Sequence, residues 1–469
     1  MTYSGSVAGR TQRVDVVVVG AGTAGANAAG QLAARGRSVV LVDRRRCDLA
    51  GAQWHNGVLG WQFAAAQVEP PVPAAGEDRR QATHIFGPDG FRAATITDSP
   101  VVRADMAALG RTLRETACEA GVELLDSSEL SSVDTDNTGR VRAIEVDRRC
   151  DVGVGGARRL EADLFVDASG LRGVLRGGSP ALLPWCTDVR GDELCSAGDH
   201  HLQVTDEDGA RRFLEAHGAA PGQSVTVLGP AGGWSTRAVT VSEDLATAAV
   251  LVGCIASGPH RTAPHMLART QEDLPWLGEV ISGGLGVIPL RRPYARFTAP
   301  GLALVGDSAS QVFPAHGSGI GLGLMAGTML AETVAEAGDC GDAATLWGYQ
   351  HRFQNEHGGT LAAYDSLRRM ATQLGSDGVT RMIHAGLLSG DLTRTGLDQR
   401  WQVPSPAEIP KQVLRFARVP SVVRSMVPRL VRAGLLSKVG ATYPAELDVP
   451  ALVRWDEKVT RHLGALPAA

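Results

Sequence analysis

The sequence is poor in lysine and lacks several features that mark particular classes of protein. Of its 46 basic residues, only Lys411, Lys438 and Lys458 are lysines. No run of about 18 apolar residues is present, so we expect no membrane-spanning helix. The first residues are polar and lack the apolar segment of a signal peptide. These absences together predict a cytoplasmic protein.

Two further absences concern metal sites and nucleic acid. The seven cysteines form no CxxC pair, so the sequence predicts neither a zinc site nor a disulfide framework. The net charge is −4, which argues against nucleic acid as the main partner. The 469 residues suffice for one large core or for two to three domains.

The N-terminal region has the pattern of a parallel βαβ unit. A continuous apolar run at 16–19 is typical of a strand buried on both faces. An alanine-rich segment at 24–35 predicts a helix, and 38–42 predicts a second strand. A dinucleotide-binding unit has this order of elements.

The turn between the first strand and the helix contains the pattern G-x-G-x-x-G. Gly20 permits the tight turn, Gly22 lets the backbone approach a pyrophosphate, and Gly25 lets helix and strand pack closely. The free N–H groups of Thr23 and Ala24, at the helix start, are predicted to bind phosphate. The pattern by itself allows NAD or FAD.

An acidic residue ends the second strand. Asp43 lies 23 residues after Gly20 and is placed to accept hydrogen bonds from ribose hydroxyls. Arg44 follows it and is a second candidate for cofactor binding, with a solvated surface arginine as the alternative.

Two later segments decide between the cofactors. A region from about residue 101 predicts a long amphipathic helix that follows Arg103, and 164–166 predicts a buried strand. A third strand at 302–305 runs into "GDSASQVFPAHGSGIG", which begins at Gly306. This stretch combines an acid, a proline and a series of glycines at a helix start.

Together these blocks resemble the glutathione-reductase-type FAD enzymes that lack a permanent nicotinamide domain. Within that group the sequence is most similar to the geranylgeranyl-reductase-like branch, whose siblings are aromatic hydroxylases and tryptophan halogenases. The resemblance covers about 14–336 and is weak in the middle. It implies an α/β fold: a Rossmann-type FAD-binding domain interleaved with a mixed β-sheet substrate domain, plus a helical C-terminal region.

The resemblance implies roles in FAD binding for several residues. Asp307 would accept from the ribityl chain, and Pro314 would shape the turn beside the ring. Gly317 and Gly319 would let the backbone lie flat against the flavin. The N–H groups near Gly319 and Ile320 would face the pyrimidine edge of the ring, where a helix N-terminus stabilises negative charge.

Two more positions follow from the same resemblance. Arg103 matches the residue that touches the diphosphate or ribityl region of the cofactor. Val133 fits the short strand whose backbone meets the adenine.

The domains are expected to alternate along the chain. The FAD-binding domain is predicted at 1–80, 100–176 and 290–375, and the substrate sheet at 81–99 and 177–289. A helical region is predicted at 376–469, with prolines as boundaries.

Among the flavin reactions of these relatives, halogenation fits poorly. The halogenase family relies on a lysine between flavin and substrate, and this chain has none before Lys411. It also lacks the tryptophan-rich W-x-W-x-I-P signature of that family. Arginine cannot substitute simply, because its charge is fixed and its geometry is planar.

Oxygenation and reduction both require an apolar pocket. Trp54, Trp61 and Trp234 are candidate pocket walls, with core packing as the alternative for each. Arg291 either lines the entrance or pairs with acids. The predicted substrate is an apolar or aromatic small molecule, isoprenoid or polyketide-like.

His316 and His55 are the candidates for proton transfer. His316 lies within the glycine series, where a histidine could donate a proton or polarise a carbonyl. The alternative for both is a structural histidine with local hydrogen bonds.

We therefore predict an FAD-dependent oxidoreductase that transfers hydride at C–C or C–O centres. An FAD-dependent monooxygenase is the first alternative, and a non-catalytic lipid- or partner-binding protein of the same fold is the second. No second dinucleotide motif is present, so NAD(P)H would bind transiently or a reductase partner would supply electrons.

The stretch 411–438 contains seven positive charges and no acid, with apolar residues between the arginines. It predicts a basic amphipathic surface for an acidic carrier protein or a membrane surface. The alternative is a helical cap on the protein's own domain.

Overall fold

The computed structural model describes residues 10–71, 82–150, 153–257, 262–386, 390–401 and 420–464. Within these residues the chain forms a mixed α/β fold with two large sheets and a set of helices at the C-terminal end. The predicted fold class is confirmed.

The first sheet has eight strands and contains the N-terminal βαβ unit. Its central order is β16-β17-β10-β1-β2-β7, with β1, β2, β7, β10 and β17 parallel. The strands are β1 (Arg10–Val19), β2 (Val39–Val42), β7 (Glu123–Leu125), β8 (Ser128–Thr135), β9 (Val141–Cys150), β10 (Gly153–Asp167), β16 (Thr298–Ala299) and β17 (Leu302–Leu304).

The second sheet has seven strands, in the order β15-β11-β14-β13-β12-β4-β5, and is almost entirely antiparallel. Its strands are β4 (Thr83–Phe86), β5 (Arg92–Ile96), β11 (Leu194–Val204), β12 (Ser224–Leu228), β13 (Ser235–Val241), β14 (Thr247–Ile255) and β15 (Leu277–Pro289). A separate antiparallel pair is formed by β3 (His55–Leu59) and β6 (Val101–Asp105).

The α-helices cover both sheets and form the C-terminal region. They are α1 (Thr23–Ala33), α2 (Gly60–Ala65), α3 (Met106–Glu119), α4 (Glu207–Ala216), α5 (Ala263–Asp273), α6 (Ile320–Val334), α7 (Ala343–Phe353), α8 (Gly359–Thr372), α9 (Ser376–His384), α10 (Gly390–Leu397), α11 (Pro420–Leu436) and α12 (Val449–Leu463). A π-helical segment, Gln354–Gly358, joins α7 to α8.

Short 3-10 helices occupy several connections. They are Cys47–Leu49, Gly170–Arg172, Arg176–Gly178, Gly191–Glu193, Gly306–Ala309 and Gly440–Thr442.

The helix expected after Arg103 is present and is preceded by a short strand. The segment from Val101 is first the strand β6, and α3 starts only at Met106. The carboxylate of Asp105 accepts hydrogen bonds from the N–H groups of Ala107 and Ala108, and so caps the helix. Arg103 therefore lies on a strand.

The main hydrophobic core lies around the parallel sheet and its helices α1, α3 and α6. A second core lies between the seven-stranded sheet and the helices α4 and α5. Since strands of the two sheets alternate along the chain, the protein has an interleaved architecture. The domain boundaries given above remain predictions.

None of the described helices combines the length and apolar character needed to cross a bilayer.

Candidate functional site

The turn between β1 and α1 leaves no room for side chains. Gly20 has φ +110°, and a Cβ there would lie 2.3 Å from the carbonyl oxygen of Ala168. A Cβ on Gly25 would lie 1.8 Å from the carbonyl oxygen of Gly20. Both positions therefore require glycine, as the tight turn of a dinucleotide site does.

The N-terminus of α1 lacks a side-chain cap. Its N-cap residue is Gly22, no side chain accepts from the first-turn N–H groups, and the first turn carries no acid. The N–H groups of Thr23 and Ala24 are among those of the first turn, and neither has a partner within the helix. This arrangement fits a phosphate group.

Asp43 follows β2 beside this turn. Its carboxylate accepts from the N–H of Ala21 at 2.7 Å and from the N–H of Arg45 at 2.8 Å. A carboxylate has about four acceptor positions, so two stay open for ribose hydroxyls. Arg44 is exposed.

The strand β8 begins next to Asp43, because the N–H of Ser128 donates to the Asp43 carbonyl at 2.8 Å. Val133 lies five residues further along β8, about 16 Å away at the usual strand rise. Its side chain packs at the Gly178 backbone. The adenine contact of Val133 stays a prediction, and Ser128 is a nearer candidate that the sequence reasoning missed.

The second glycine-rich segment lies against the first. A Cβ on Gly306 would lie 3.3 Å from the Ala24 Cβ, and a Cβ on Gly323 would lie 3.1 Å from it. The amide of Asn27 in α1 also donates to the carbonyl oxygen of Leu324 in α6 at 2.8 Å. The starts of α1 and α6 thus border one crevice.

Asp307 places an unpaired carboxylate in this crevice. Within the described residues, its side chain makes no hydrogen bond or ion pair, and desolvation by burial raises its pKa to about 6. A carboxylate in such a position requires donors. The hydroxyl groups of a ribityl chain would supply them.

The segment Pro314–Gly319, here called the glycine loop, leads into α6. Pro314 is buried, and Gly317 has φ +76°. The N-cap of α6 is Gly319, without a capping side chain, so the N–H groups of Ile320 and its neighbours are unpaired within the helix. This uncapped helix start fits the electron-rich edge of a flavin ring. The residues present therefore fit FAD at both ends of the crevice.

The seven-stranded sheet packs one side against α4 and α5 and turns its other side toward the crevice. This second side is here called the crevice face. Alternate residues of β14, such as Val250 and Val252, point into the core with α4 and α5. Their neighbours therefore lie on the crevice face, together with the residues paired to them. This face carries mostly small side chains: Ala197, Ala238, Ala249, Gly253, Gly284 and Gly286.

Leu251 is the large apolar residue in the middle of this face and is 38% exposed. At one end of the face, Ile288 and Leu290 lie in contact distance of a Cβ placed on Gly317. The crevice face thus meets the glycine loop and leaves apolar space above the sheet.

The three tryptophans predicted as pocket walls lie in three places. Trp54 packs on Gly284 and Gly286 of the crevice face, where added Cβ atoms would lie 2.3 and 3.2 Å from its ring. The Trp234 indole N–H donates to the Ala315 carbonyl in the glycine loop at 2.8 Å, and Trp234 lines a cavity of about 340 Å³. Trp61 lines a different cavity of about 350 Å³, beside Phe313.

A cluster of ionisable side chains joins β3 and β6 to the crevice face. The Arg103 guanidinium lies 2.9 Å from Nε2 of His201, and the rings of His55 and His201 are 5.1 Å apart. Because arginine can only donate, Nε2 of His201 must accept, and the proton of this neutral ring lies on Nδ1. Asp199, two residues from His201, is buried on the same face.

The two β11 residues have shifted pKa values of opposite sense. Desolvation raises the pKa of Asp199, although the charges of Arg103 and His55 oppose this. Desolvation, followed by the charges of Arg103 and His55, lowers the pKa of His201 to about 4. The site thus contains an acid that tends to keep its proton beside a histidine that tends to stay neutral.

The sequence reasoning named His55 and Arg103 but missed Asp199 and His201. The stretch "AGDHHLQV" carries a signal for the strand that holds them, because Asp199, His201 and Gln203 occupy every second position and therefore one face. Nothing in the sequence placed that face opposite Arg103.

The other two predicted residues lie outside this cluster. His316 lies in the glycine loop, where its side chain is exposed and its ring is 4.7 Å from that of Phe313. Arg291 forms an ion pair of 3.6 Å with Glu193 and stacks on Tyr294 at 4.9 Å. Arg291 is thus paired with an acid, the second of its two interpretations. In the described residues, no group of three His, Cys, Asp or Glu side chains could hold a metal ion.

Comparison with known proteins agrees with this geometry. Residues 15–177 match the family model "FAD dependent oxidoreductase". The chain is 28% identical over 397 residues to a digeranylgeranylglycerophospholipid reductase of Methanothrix thermoacetophila, covering 82% of this chain and 94% of that protein. It is 27% identical over 353 residues to a menaquinone reductase of Mycolicibacterium smegmatis, covering 71% of this chain and 79% of that one.

Among solved structures, a geranylgeranyl bacteriochlorophyll reductase-like protein of Thermoplasma acidophilum superposes with a TM-score of 0.64 at 18% identity, covering 89% of this chain and 100% of that one. This likeness concerns the fold. The chain is an FAD-dependent oxidoreductase, and it is similar to proteins of the geranylgeranyl-reductase-like branch.

Proposed function

We propose that this protein reduces a C–C or C–O double bond in an extended apolar molecule, isoprenoid or polyketide-like. Its curated relatives support reduction over oxygenation, since they are named as reductases of an isoprenoid lipid or of menaquinone. Bound FAD would supply hydride chemistry, while the chain holds the substrate, excludes water and delivers the proton.

The crevice face is the observation that carries this proposal. Six of its positions are alanine or glycine, and its central large residue, Leu251, is partly exposed. Trp54 covers Gly284 and Gly286, and the small side chains of Ala197, Ala238, Ala249 and Gly253 leave a shallow apolar channel over the rest of the sheet, next to the glycine loop. A long hydrocarbon chain would bury its surface there and gain about 25 cal/mol per Å² of apolar area removed from water.

The glycine-loop end of this channel has an apolar wall. Cys195, Ile255 and Leu290 form a buried apolar cluster, to which Trp234 and Ile288 add their side chains. An apolar wall beside the reacting carbon favours hydride transfer over side reactions with solvent.

Reduction of a double bond also requires a proton, and we assign its delivery to Asp199. The carboxyl group is buried, its pKa is raised, and within the described residues it makes no hydrogen bond. The pKa of His201 is lowered to about 4, so this ring is neutral near pH 7 and holds no extra proton to give, and His316 is exposed to solvent. His55 and Arg103 would help to orient the cluster.

The electron donor follows from what the sequence contains. Only one dinucleotide motif is present, and it serves FAD. We propose that NAD(P)H binds transiently or that a reductase partner delivers electrons.

One experiment separates reduction from oxygenation. The FAD-loaded protein is reduced with dithionite without oxygen, and geranylgeraniol is added as a probe of the substrate class. Reoxidation of the flavin with loss of an alkene, followed by mass spectrometry, supports the reductase. Reoxidation that begins only when oxygen is admitted, with an oxygen atom in the product, favours the monooxygenase.

The same preparation tests the non-catalytic alternative. We expect the purified protein to be yellow, or to become yellow when FAD is added. A colourless protein that cannot be reconstituted would favour a binding protein of this fold.

A further inference from the structure

The helix α11 exposes an apolar stripe on one face. Val427, Val431 and Leu435 are 40%, 59% and 49% exposed, and their spacing of four residues places them on the same side of the helix. Exposed apolar residues are common singly, but three in line form a contiguous strip.

The opposite side of α11 holds the helix on the protein. Ala433 and Leu436 are buried in the cluster around α8 and α12, and Met426 is buried with Met370 and Met382. The side of α11 that packs on the protein is thus formed by other residues, and the exposed stripe is a separate surface.

Positive charges lie at both ends of the stripe. Arg424 is seven residues before Val431, two helical turns away on the same side, and Lys438 is seven residues after it, just past the helix end; both are exposed. Arg432 is exposed beside the stripe, and 420–438 contains no acid. Arg429 is turned toward the protein, where it donates to Gln373 at 2.7 Å.

We propose that this stripe docks on the surface of an anionic lipid bilayer. Val427, Val431 and Leu435 would enter the boundary of the acyl chains, while Arg424 and Lys438 extend to the headgroups at either end. The stripe spans about 21 Å from Arg424 to Lys438, at 1.5 Å per residue, so the helix would lie parallel to the surface.

A bilayer fits these observations better than an acidic carrier protein does. Arginine and lysine would pair with acids on a carrier, but the most exposed residue of the stripe, Val431, lies at its centre and needs an apolar partner. A lipid surface offers both properties at once. Of the basic stretch predicted from the sequence, 411–419 lies outside the described residues.

The edge strand β15 provides a matched comparison. Ile281, Leu285 and Val287 are 59%, 50% and 51% exposed, as much as the α11 residues. This strand contains Glu279 and no basic residue. We expect it to contribute nothing to binding of anionic lipid.

The test is sedimentation of the full-length, FAD-loaded protein with vesicles. Equimolar phosphatidylglycerol and phosphatidylcholine are compared with phosphatidylcholine alone, at low and high salt. We expect binding to the anionic vesicles at low salt, at least about tenfold weaker binding to neutral ones, and loss of binding at high salt.

Three sets of variants locate the surface. The changes Val427→Ser, Val431→Ser and Leu435→Ser together should weaken binding at least about tenfold, and Arg424→Gln with Lys438→Gln should do the same. The matched control, Ile281→Ser, Leu285→Ser and Val287→Ser, should bind as the unchanged protein does. Retained flavin absorbance and thermal midpoint show that each variant is folded.

Several outcomes overturn the proposal. These are absence of binding to anionic vesicles, equal binding to neutral ones, or equal losses in the α11 and β15 variants. Failure with vesicles but capture of an acidic acyl carrier protein, dependent on Arg424 and Lys438, replaces the bilayer by the carrier. Because no step of this test measures turnover, its result is separate from that of the proposed reaction.

Discussion

The cofactor crevice and the crevice face of the substrate sheet use opposite means to make room for a ligand. The crevice between α1 and α6 is built from backbone, with added Cβ atoms on Gly20 and Gly25 blocked by carbonyl oxygens. The crevice face is lined by side chains of separate strands, such as His201 of β11, whose Nε2 lies 2.9 Å from the guanidinium of Arg103 on the neighbouring strand β6.

This difference corresponds to two kinds of ligand: the backbone of the crevice is suited to the cofactor, and the side chains of the crevice face are suited to a particular substrate. Backbone N–H groups at helix starts bind phosphate and a flavin edge whatever the neighbouring side chains are. Side chains on strands can be exchanged without changing the fold, so they set substrate and proton chemistry. A substitution in the cofactor crevice should therefore abolish FAD binding abruptly, whereas substitutions on the crevice face should change the reaction by degrees.

The largest effect on cofactor binding is expected from Gly25→Ala. The new Cβ would lie 1.8 Å from the Gly20 carbonyl oxygen, so the turn must open and its N–H groups must leave their positions. We expect FAD binding to weaken at least about a hundredfold, equivalent to about 2.8 kcal/mol. Visible flavin absorbance per protein, measured during titration with FAD, checks this.

The control is Gly30→Ala in the same helix. Its Cβ would lie 3.4 Å from the nearest atom, Ala117 Cα, which leaves room with little adjustment. Helical alanine is favoured over glycine by about 1 kcal/mol, so this variant should be at least as stable and equally yellow. Equal flavin content in Gly25→Ala and Gly30→Ala would contradict the backbone role given to the first region.

Asp199→Asn tests the side-chain chemistry of the second region. An amide has no proton to donate, so the substrate-dependent step should slow by about 10²–10⁴-fold, the usual contribution of a positioned acid. FAD binding should be unchanged. The rate of anaerobic flavin reoxidation by substrate is the measurement, with exposed Asp244→Asn in the β13–β14 turn as control.

The same substrate-dependent step should also depend on pH in a predictable direction. Burial raises the pKa of Asp199, so its protonated form persists to higher pH than that of an ordinary aspartate. The rate should be highest on the acid side and fall as pH rises through that pKa. In Asp199→Asn the residual rate should lose this dependence, and a fall of the same shape in the variant would assign the proton to another group.

The two regions also differ in how far the sequence predicted them. The glycine turn, Asp43 and the Gly306 segment were found because each motif is contiguous, and its local geometry follows from the residue types. The cluster of Arg103, His55, Asp199 and His201 was half found. Its members meet only because β3 and β6 lie against β11, which depends on the packing of two sheets rather than on spacing.

The strand β6 shows the same limit on a smaller scale. Periodicity predicted a helix after Arg103 without giving its first residue, which is Met106, directly after the N-cap Asp105. The capping aspartate was visible in the sequence. The pairing of β6 with β3, which turns Arg103 toward the crevice, was not.

A moderate effect is expected where a tryptophan fills the space over a glycine. A Cβ added by Gly284→Ala would lie 2.3 Å from Cε3 of Trp54. Moving the ring should cost about 1–3 kcal/mol of the free energy of unfolding, as overpacking does elsewhere. Urea unfolding measures it.

Combining Gly284→Ala with Trp54→Ala sharpens this test. Without the indole the added methyl meets no obstacle, so the cost of Gly284→Ala should fall by about 1 kcal/mol or more in that background. Additive effects would mean that Trp54 does not pack on the crevice face, and that Gly284→Ala lowers the free energy of unfolding for another reason.

The smallest effect concerns His201 and the pH dependence of folding. Desolvation, then the charges of Arg103 and His55, lowers its pKa from 6.5 to about 4 in the folded protein. Between these values the unfolded chain binds more protons, so the free energy of unfolding should be complete above about pH 6.5 and fall as pH drops toward 4. Because the ring is only partly buried, we expect His201 to account for about 1 kcal/mol of the loss between about pH 7 and pH 5.

His201→Gln removes the titration while a glutamine oxygen can still accept from Arg103. The variant should lose less stability than the unchanged protein between the two pH values. Urea midpoints at both pH values give the difference. An identical loss in both proteins would show that His201 is solvated, and the sheet would then stand further from β6 than the 2.9 Å contact implies.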